Sequence, residues 1–101
     1  MISFAEIEQK VIDWGEIRDI YKQSTPIKQA GKIHEEVYEL FHAISERNRS
    51  GVIDAIGDIL VVLTAIAKFT DTDLTTCYLS AYEEVKDRRG NIIDGVFTKE
   101  R

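Results

Sequence analysis

Apolar positions recur along this chain at spacings of three and four residues, in four stretches separated by short polar turns. That period is the one an α-helix with a buried face requires. The first stretch carries Phe4, Ile7, Val11 and Trp14, and Ser3 with Glu6 three residues later forms a capping-box pattern at its start. A helix is predicted from there to about Gln23, with Gly15 loosening its middle. Ser24-Thr25-Pro26 closes it and opens the next, Thr25 as N-cap and Pro26 at the first helical position. The second helix, Pro26–Arg47, has Ile27, Ala30, Ile33, Val37, Leu40, Phe41 and Ile44 on a broad apolar face.

Asn48-Arg49-Ser50-Gly51 reads as a polar turn, so the second and third helices should lie antiparallel as a helical hairpin. The third helix, Val52–Phe69, is apolar almost all the way round, the mark of an element covered on every side. Thr70-Asp71-Thr72-Asp73 is a second turn rich in N-cap residues. It starts a fourth helix with Leu74, Cys77, Tyr78, Ala81, Tyr82 and Val85 as its apolar positions. Gly90 stands where a left-handed C-terminal cap would follow the basic residues Lys86, Arg88 and Arg89. In the tail, Asp94-Gly95 between short β-prone runs is a hairpin signal. These elements predict a single all-α domain over residues 1–101, an antiparallel four-helix bundle with a short extended C-terminal tail.

Composition narrows the function. The chain has 101 residues and a formal charge of −5, which disfavours a general nucleic-acid-binding role because phosphate backbones select basic patches. Cys77 is the single cysteine, so no intrachain disulfide can form, and an apolar neighbourhood makes it a core residue. The first ten residues lack the basic and apolar regions of a signal peptide, and a cytoplasmic location is expected. Val52–Phe69 approaches the length of a membrane span, but its two aspartates and one lysine make it a buried core helix instead. One copy of four helices cannot easily cover such a helix, so self-association is expected.

The chemistry enters with the acidic residues. Asp54 and Asp58 lie one turn apart on one face of the third helix, with no Lys or Arg within a turn. A carboxylate sunk in an apolar setting costs several kcal/mol unless a cation compensates it. Glu35, Glu36 and Glu39 gather on one side of the second helix. Antiparallel packing carries the start of the third helix toward the latter half of the second, so all five carboxylates can converge. Such an oxygen-only cluster suits Mg²⁺, or Mn²⁺, with waters left over for a phosphate substrate. A solvated acidic face is the plainer reading of the glutamates; Asp58 resists it, because it lies a full turn inside an apolar helix. Glu39 and His42 also read as ExxH, half of a di-iron bundle motif, but His34 supplies no second half and His42 reads as a surface or interface residue.

At these residues the chain resembles a family. Gln29-x-x-Lys32-x-x-Glu35-Glu36-x-x-Glu39-Leu40, followed by Gly57-Asp58-Ile59-Leu60, resembles the MazG-type members of the all-α nucleoside triphosphate pyrophosphohydrolases. Their hallmark is EExxE and then, after a short hairpin, ExxD. The resemblance runs from Trp14 to the tail Gly95-Val96-Phe97, with one departure: the glutamate of ExxD would fall at position 55, which is Ala55. Asp54, the nearest carboxylate, lies on the same helical face as Asp58 and either substitutes as a ligand or binds only a second, looser ion, which leaves the number of metals open. The resemblance implies hydrolysis of a (deoxy)nucleoside triphosphate to the monophosphate and pyrophosphate, and a dimer or tetramer. By this analogy Glu35, Glu39 and Asp58 hold Mg²⁺, Glu36 is a ligand or orients the attacking water, and Lys86 and Arg89 match the family's basic pair, with Arg88 a weaker candidate. Lys32 either reaches phosphate or pairs with Glu36; Trp14 and Tyr82 either stack on a base or belong to the core. Two other readings stand beside this one: a helical interaction module that kept the fold without the chemistry, and a pyrophosphohydrolase acting on another phosphoanhydride such as a phosphoribosyl-nucleotide.

Overall fold

The structure is a computed structural model and describes residues 1–100. The four predicted helical stretches become five helices and a hairpin: α1 (Phe4–Ile17), α2 (Ile20–Gln23), α3 (Pro26–Ser45), α4 (Arg49–Phe69), α5 (Leu74–Val85), β1 (Gly90–Ile93) and β2 (Val96–Lys99). The fold is therefore all-α with a short extended tail, as the periodicity implies. Helix starts follow their cap residues: the Ser3 hydroxyl accepts from Glu6 N within a complete capping box, and Thr25 accepts from Lys28 N. The strands pair antiparallel from Gly90–Lys99 to Ile93–Val96. Asp94 and Gly95 both take positive φ, as a two-residue hairpin turn demands.

Three boundaries differ from expectation, each for a local reason. The first helix breaks at Arg18-Asp19, where Asp19 takes a left-handed φ of 60°. The break lets Tyr21 fold back, so that its hydroxyl donates to Ile12 O at 3.1 Å and its ring meets Phe69 edge-on at 5.8 Å. Gly15 does not loosen α1; it makes room for this ring, since a Cβ there would lie 2.5 Å from the Tyr21 hydroxyl oxygen. Helix α4 begins earlier than Val52, because Asn48 is its N-cap and accepts from Gly51 N, drawing Arg49-Ser50-Gly51 into the first turn. Helix α5 ends at Val85, and Gly90 is no helix cap. It begins β1, where a Cβ would collide with Thr98 O and the Phe97 ring.

Packing is uneven. The hairpin of α3 and α4 is the closest association in the molecule, while α5 touches α4 only lightly. The buried apolar set is small, namely Ala43, Ala55, Val62, Ala65 and Ala67, and contains no large side chain. Ile53, Ile56 and Leu60 of α4 and Tyr78, Leu79, Tyr82 and Val85 of α5 remain exposed. Cys77 is likewise exposed rather than core, because α5 stands off the body and one copy of the chain leaves its apolar stripe uncovered. The radius of gyration is 15.9 Å, against about 13 Å for a close-packed domain of this length. No helix among the described residues is long and apolar enough to cross a membrane.

Candidate metal centre

The turn between α3 and α4 sets the register of the acidic residues. Arg47 takes a left-handed φ of 53°, and Asn48 N donates back to Ala43 O at 2.9 Å. Gly51 lets the first turn of α4 close on α3, since a Cβ there would lie 3.1 Å from Ala43 Cβ. From that contact Glu36 lies seven residues back along α3 and Asp58 seven residues forward along α4. Seven residues are two helical turns, about 10.5 Å of rise on each helix, so the two carboxylates come level. Glu39 comes level with Ala55, which is 2% exposed and lets the backbones stay close.

Glu36, Glu39 and Asp58 each present a carboxylate oxygen within 4.8 Å of the others. Glu36 is buried, and its Oε2 has no hydrogen-bond partner. Its Oε1 lies 3.8 Å from Lys32 Nζ. Burial, then the charges of Glu39 and Asp58, push the Glu36 carboxyl above the usual carboxylate range, and Lys32 offsets only part of this. A buried acceptor without a donor, facing two like charges, is what a site for a divalent cation looks like before the cation is counted. Three carboxylates from two rigid helices match the hard-oxygen set that Mg²⁺ or Mn²⁺ takes.

Of the five carboxylates expected to converge, the structure groups these three. Glu35 points outward, 69% exposed, and pairs with Lys32 at 3.4 Å. That bond and the charges of Glu35 and Glu36 raise the Lys32 pKa. Asp54 is exposed one turn before Asp58, which is itself exposed, as is Glu39, rather than sunk in a covered helix as expected, because this face of α4 stays open; the two aspartates border the same pair of cavities. A polar cavity of about 740 Å³ holds Glu39, His42 and Asn48 beside them. An apolar cavity of about 550 Å³ opens on the other side, between α4, α1 and the start of α5. His42 is exposed, stacked on Tyr38 and 4.0 Å from Glu46. Trp14 lies under Arg18, Tyr82 lines an apolar groove between α5 and Phe4, and Lys86 pairs with Glu83 at 2.6 Å. None of Trp14, Tyr82, Lys86 and Arg89 lines either cavity beside Asp58.

Sequence reasoning missed Glu8. Its buried carboxylate reaches from α1 to the start of α5. There Oε2 accepts from Leu74 N, while Oε1 accepts from Thr75 N at 3.1 Å and from the Thr75 hydroxyl at 2.7 Å. Asp73 takes Thr76 N, a bond that holds the Asp73 carboxyl below its usual range, so the first three amides of α5 all have acceptors. The signal was present in the sequence: Glu8 interrupts the apolar face formed by Phe4, Ile7 and Val11.

Comparison with known proteins places this geometry. The family model for the MazG nucleotide pyrophosphohydrolase domain matches residues 25–92, which contain the whole acidic cluster and leave α1 outside. An uncharacterized 18.2 kDa protein from the rep-hol intergenic region of Haemophilus phage HP1 is 32% identical over 73 residues, covering 72% of this chain and 45% of that protein. The chain thus spans less than half the length of this curated relative. No solved structure matches it significantly. With the acidic cluster of α3 and α4 inside a segment that the family model matches over most of the chain, the protein belongs to the MazG nucleotide pyrophosphohydrolase domain family.

Proposed function

We propose that the chain is a Mg²⁺-dependent hydrolase that cleaves (deoxy)nucleoside triphosphates to the monophosphate and pyrophosphate, in nucleotide-pool control. Family membership supports pyrophosphohydrolase chemistry, and the observation that carries the finer reading is the buried Glu36 carboxylate, with its Oε2 unpartnered, clustered with Glu39 and Asp58. Glu36, Glu39 and Asp58 fit a divalent cation by donor type and spacing, and Mn²⁺ would satisfy the same set. A cation held there would neutralise the triphosphate and acidify a water for attack at phosphorus. The chain supplies the rest. Glu35 and Asp54 are the exposed carboxylates nearest the cluster in sequence and serve as outer ligands, or as the base that takes the proton of the water. Lys32 holds phosphate once Glu36 is engaged elsewhere. Lys86 and Arg89 supply the further positive charge that a triphosphate requires, and Trp14 and Tyr82 contribute aromatic surface. The working form is a dimer or tetramer, which the uncovered faces of α4 and α5 favour.

The test is turnover of each NTP and dNTP with Mg²⁺, with release of monophosphate and pyrophosphate as the readout. Asp58→Asn and Glu39→Gln should each lower kcat/KM by about 10³-fold, the several kcal/mol expected of a metal ligand. Unchanged turnover in both variants would refute the site. No turnover, together with no rise in melting temperature on adding Mg²⁺, would favour the non-catalytic module instead.

A further inference from the structure

The C-terminal hairpin stands apart from the helices. Among the described residues, neither β1 nor β2 packs against any helix of its own chain, and Ile92, Ile93, Val96 and Phe97 are all exposed. Two strands alone are marginally stable in water, and a sheet becomes stable with three or more. The two edges of the hairpin are not equivalent. Strand β2 ends on Lys99, a charge of the kind that blunts an edge, whereas β1 has no charge, no proline and no bulge. Ile93 and Val96 flank the two-residue turn as its hydrogen-bonded pair, and Arg89 O accepts from Glu100 N at 2.8 Å. Residues 89, 91 and 93 therefore turn their backbone groups to β2. Gly90 and Ile92 turn theirs to the open edge of β1.

We infer that this edge pairs with the same edge of a second copy, β1 against β1 in antiparallel register centred on Asn91, so that the two hairpins form one four-stranded sheet. A two-fold antiparallel pair must be centred on a residue that faces itself, because opposed residues share a face of the sheet. Centring on Gly90 or on Ile92 leaves half of the open-edge groups to residues outside the strands. Centring on Asn91 sets Gly90 opposite the second copy's Ile92, and the reverse, so every outward N–H and C=O of both strands is bonded. Two further features favour this register. Arg88 comes opposite the second copy's Asp94 at both ends of the pair, a charge match that the other registers lack. The Phe97 ring covers Gly90, where a Cβ would lie 2.7 Å from Phe97 Cζ, so the second copy's Ile92 meets that ring on the shared face. The contact is separate from the exposed faces of α4 and α5 and does not depend on the hydrolase reading.

The experiment has two arms, both on the full chain. In the unaltered protein, amide exchange is followed residue by residue at high micromolar concentration and after dilution. The outward amides of Gly90 and Ile92 should exchange about tenfold or more slowly at the higher concentration, by mass action on the paired state. The second arm reads the register by cross-linking, in a Cys77→Ser background. Asn91→Cys should form a covalent dimer under mild oxidation, because facing residues at a non-bonded position have Cα atoms about 4.5 Å apart, within disulfide reach. Thr98→Cys should not, because three strand spacings, about 14 Å, would separate the two copies of that position. A dimer by light scattering whose Gly90 and Ile92 amides exchange freely would overturn the inference and leave the helix faces as the contact. A monomer with free amides would overturn it as well, as would cysteine variants that cross-link equally or not at all.

Discussion

Glu36 joins two properties that usually exclude each other, burial and two carboxylate neighbours with only one lysine nearby. Its raised pKa means that the folded state binds the proton more tightly than the unfolded chain does. Its contribution to stability is therefore fully present below the ordinary carboxylate pKa and is lost as pH rises toward and through the folded value. In metal-free buffer the melting temperature should fall across that window, and Glu36→Gln should flatten the fall. The same variant should remove the stabilisation by Mg²⁺, because it deletes a ligand. A Glu36→Gln protein that keeps both the slope and the Mg²⁺ response would show that Glu36 is neither. Asp73 behaves oppositely: its lowered pKa contributes stability above the unfolded value and loses it as pH falls.

Glycine has opposite meanings in two helices of this fold. In α3, a Cβ on Gly31 meets nothing within 4 Å, so Gly31→Ala should stabilise by up to about 1 kcal/mol through helix propensity. In α1, Gly15 is filled against by Tyr21, so Gly15→Ala should destabilise despite the same propensity gain. Denaturant melts of the two variants should move in opposite directions; movement in the same direction would show that Tyr21 does not pack there. Helix α5 depends on α1 for its start. Glu8→Ala removes the acceptor for two amides and a hydroxyl, and hydrogen bonds to a charged group contribute about 1.5–3 kcal/mol. Amide exchange in the first turn of α5 should accelerate in that variant while the middle of α3 stays protected. Equal acceleration in both would mean that Glu8 holds the whole fold rather than one junction.

The molecule leaves much apolar surface open in one copy. Its buried set contains small and medium apolar residues, while Phe4, Phe41, Tyr78 and Tyr82 remain exposed. Apolar surface on that scale marks an interaction face. Size-exclusion chromatography with light scattering at micromolar concentration should give a dimer or tetramer, with a melting temperature that rises with protein concentration. A clean monomer would sink this expectation. Much of this was readable before any coordinates. The caps at Ser3 and Thr25, the cap-rich turn before α5, the hairpin at Asp94-Gly95, the pairing of α3 with α4 and the candidacy of Glu35, Glu36, Glu39, Asp54 and Asp58 all follow from local rules, because caps, turns and helical faces are set by residues three or four apart. Other features needed the third dimension. The break at Asp19 exists so that Tyr21 can reach Ile12, and Glu8 is a cap only because α5 arrives beside it. Glu35 separates from Glu36 because adjacent helical residues point about 100° apart, and only the position of α4 decides which of them meets Asp58. Periodicity says which side chains share a face; the register of Gly51 on Ala43 decides what that face meets.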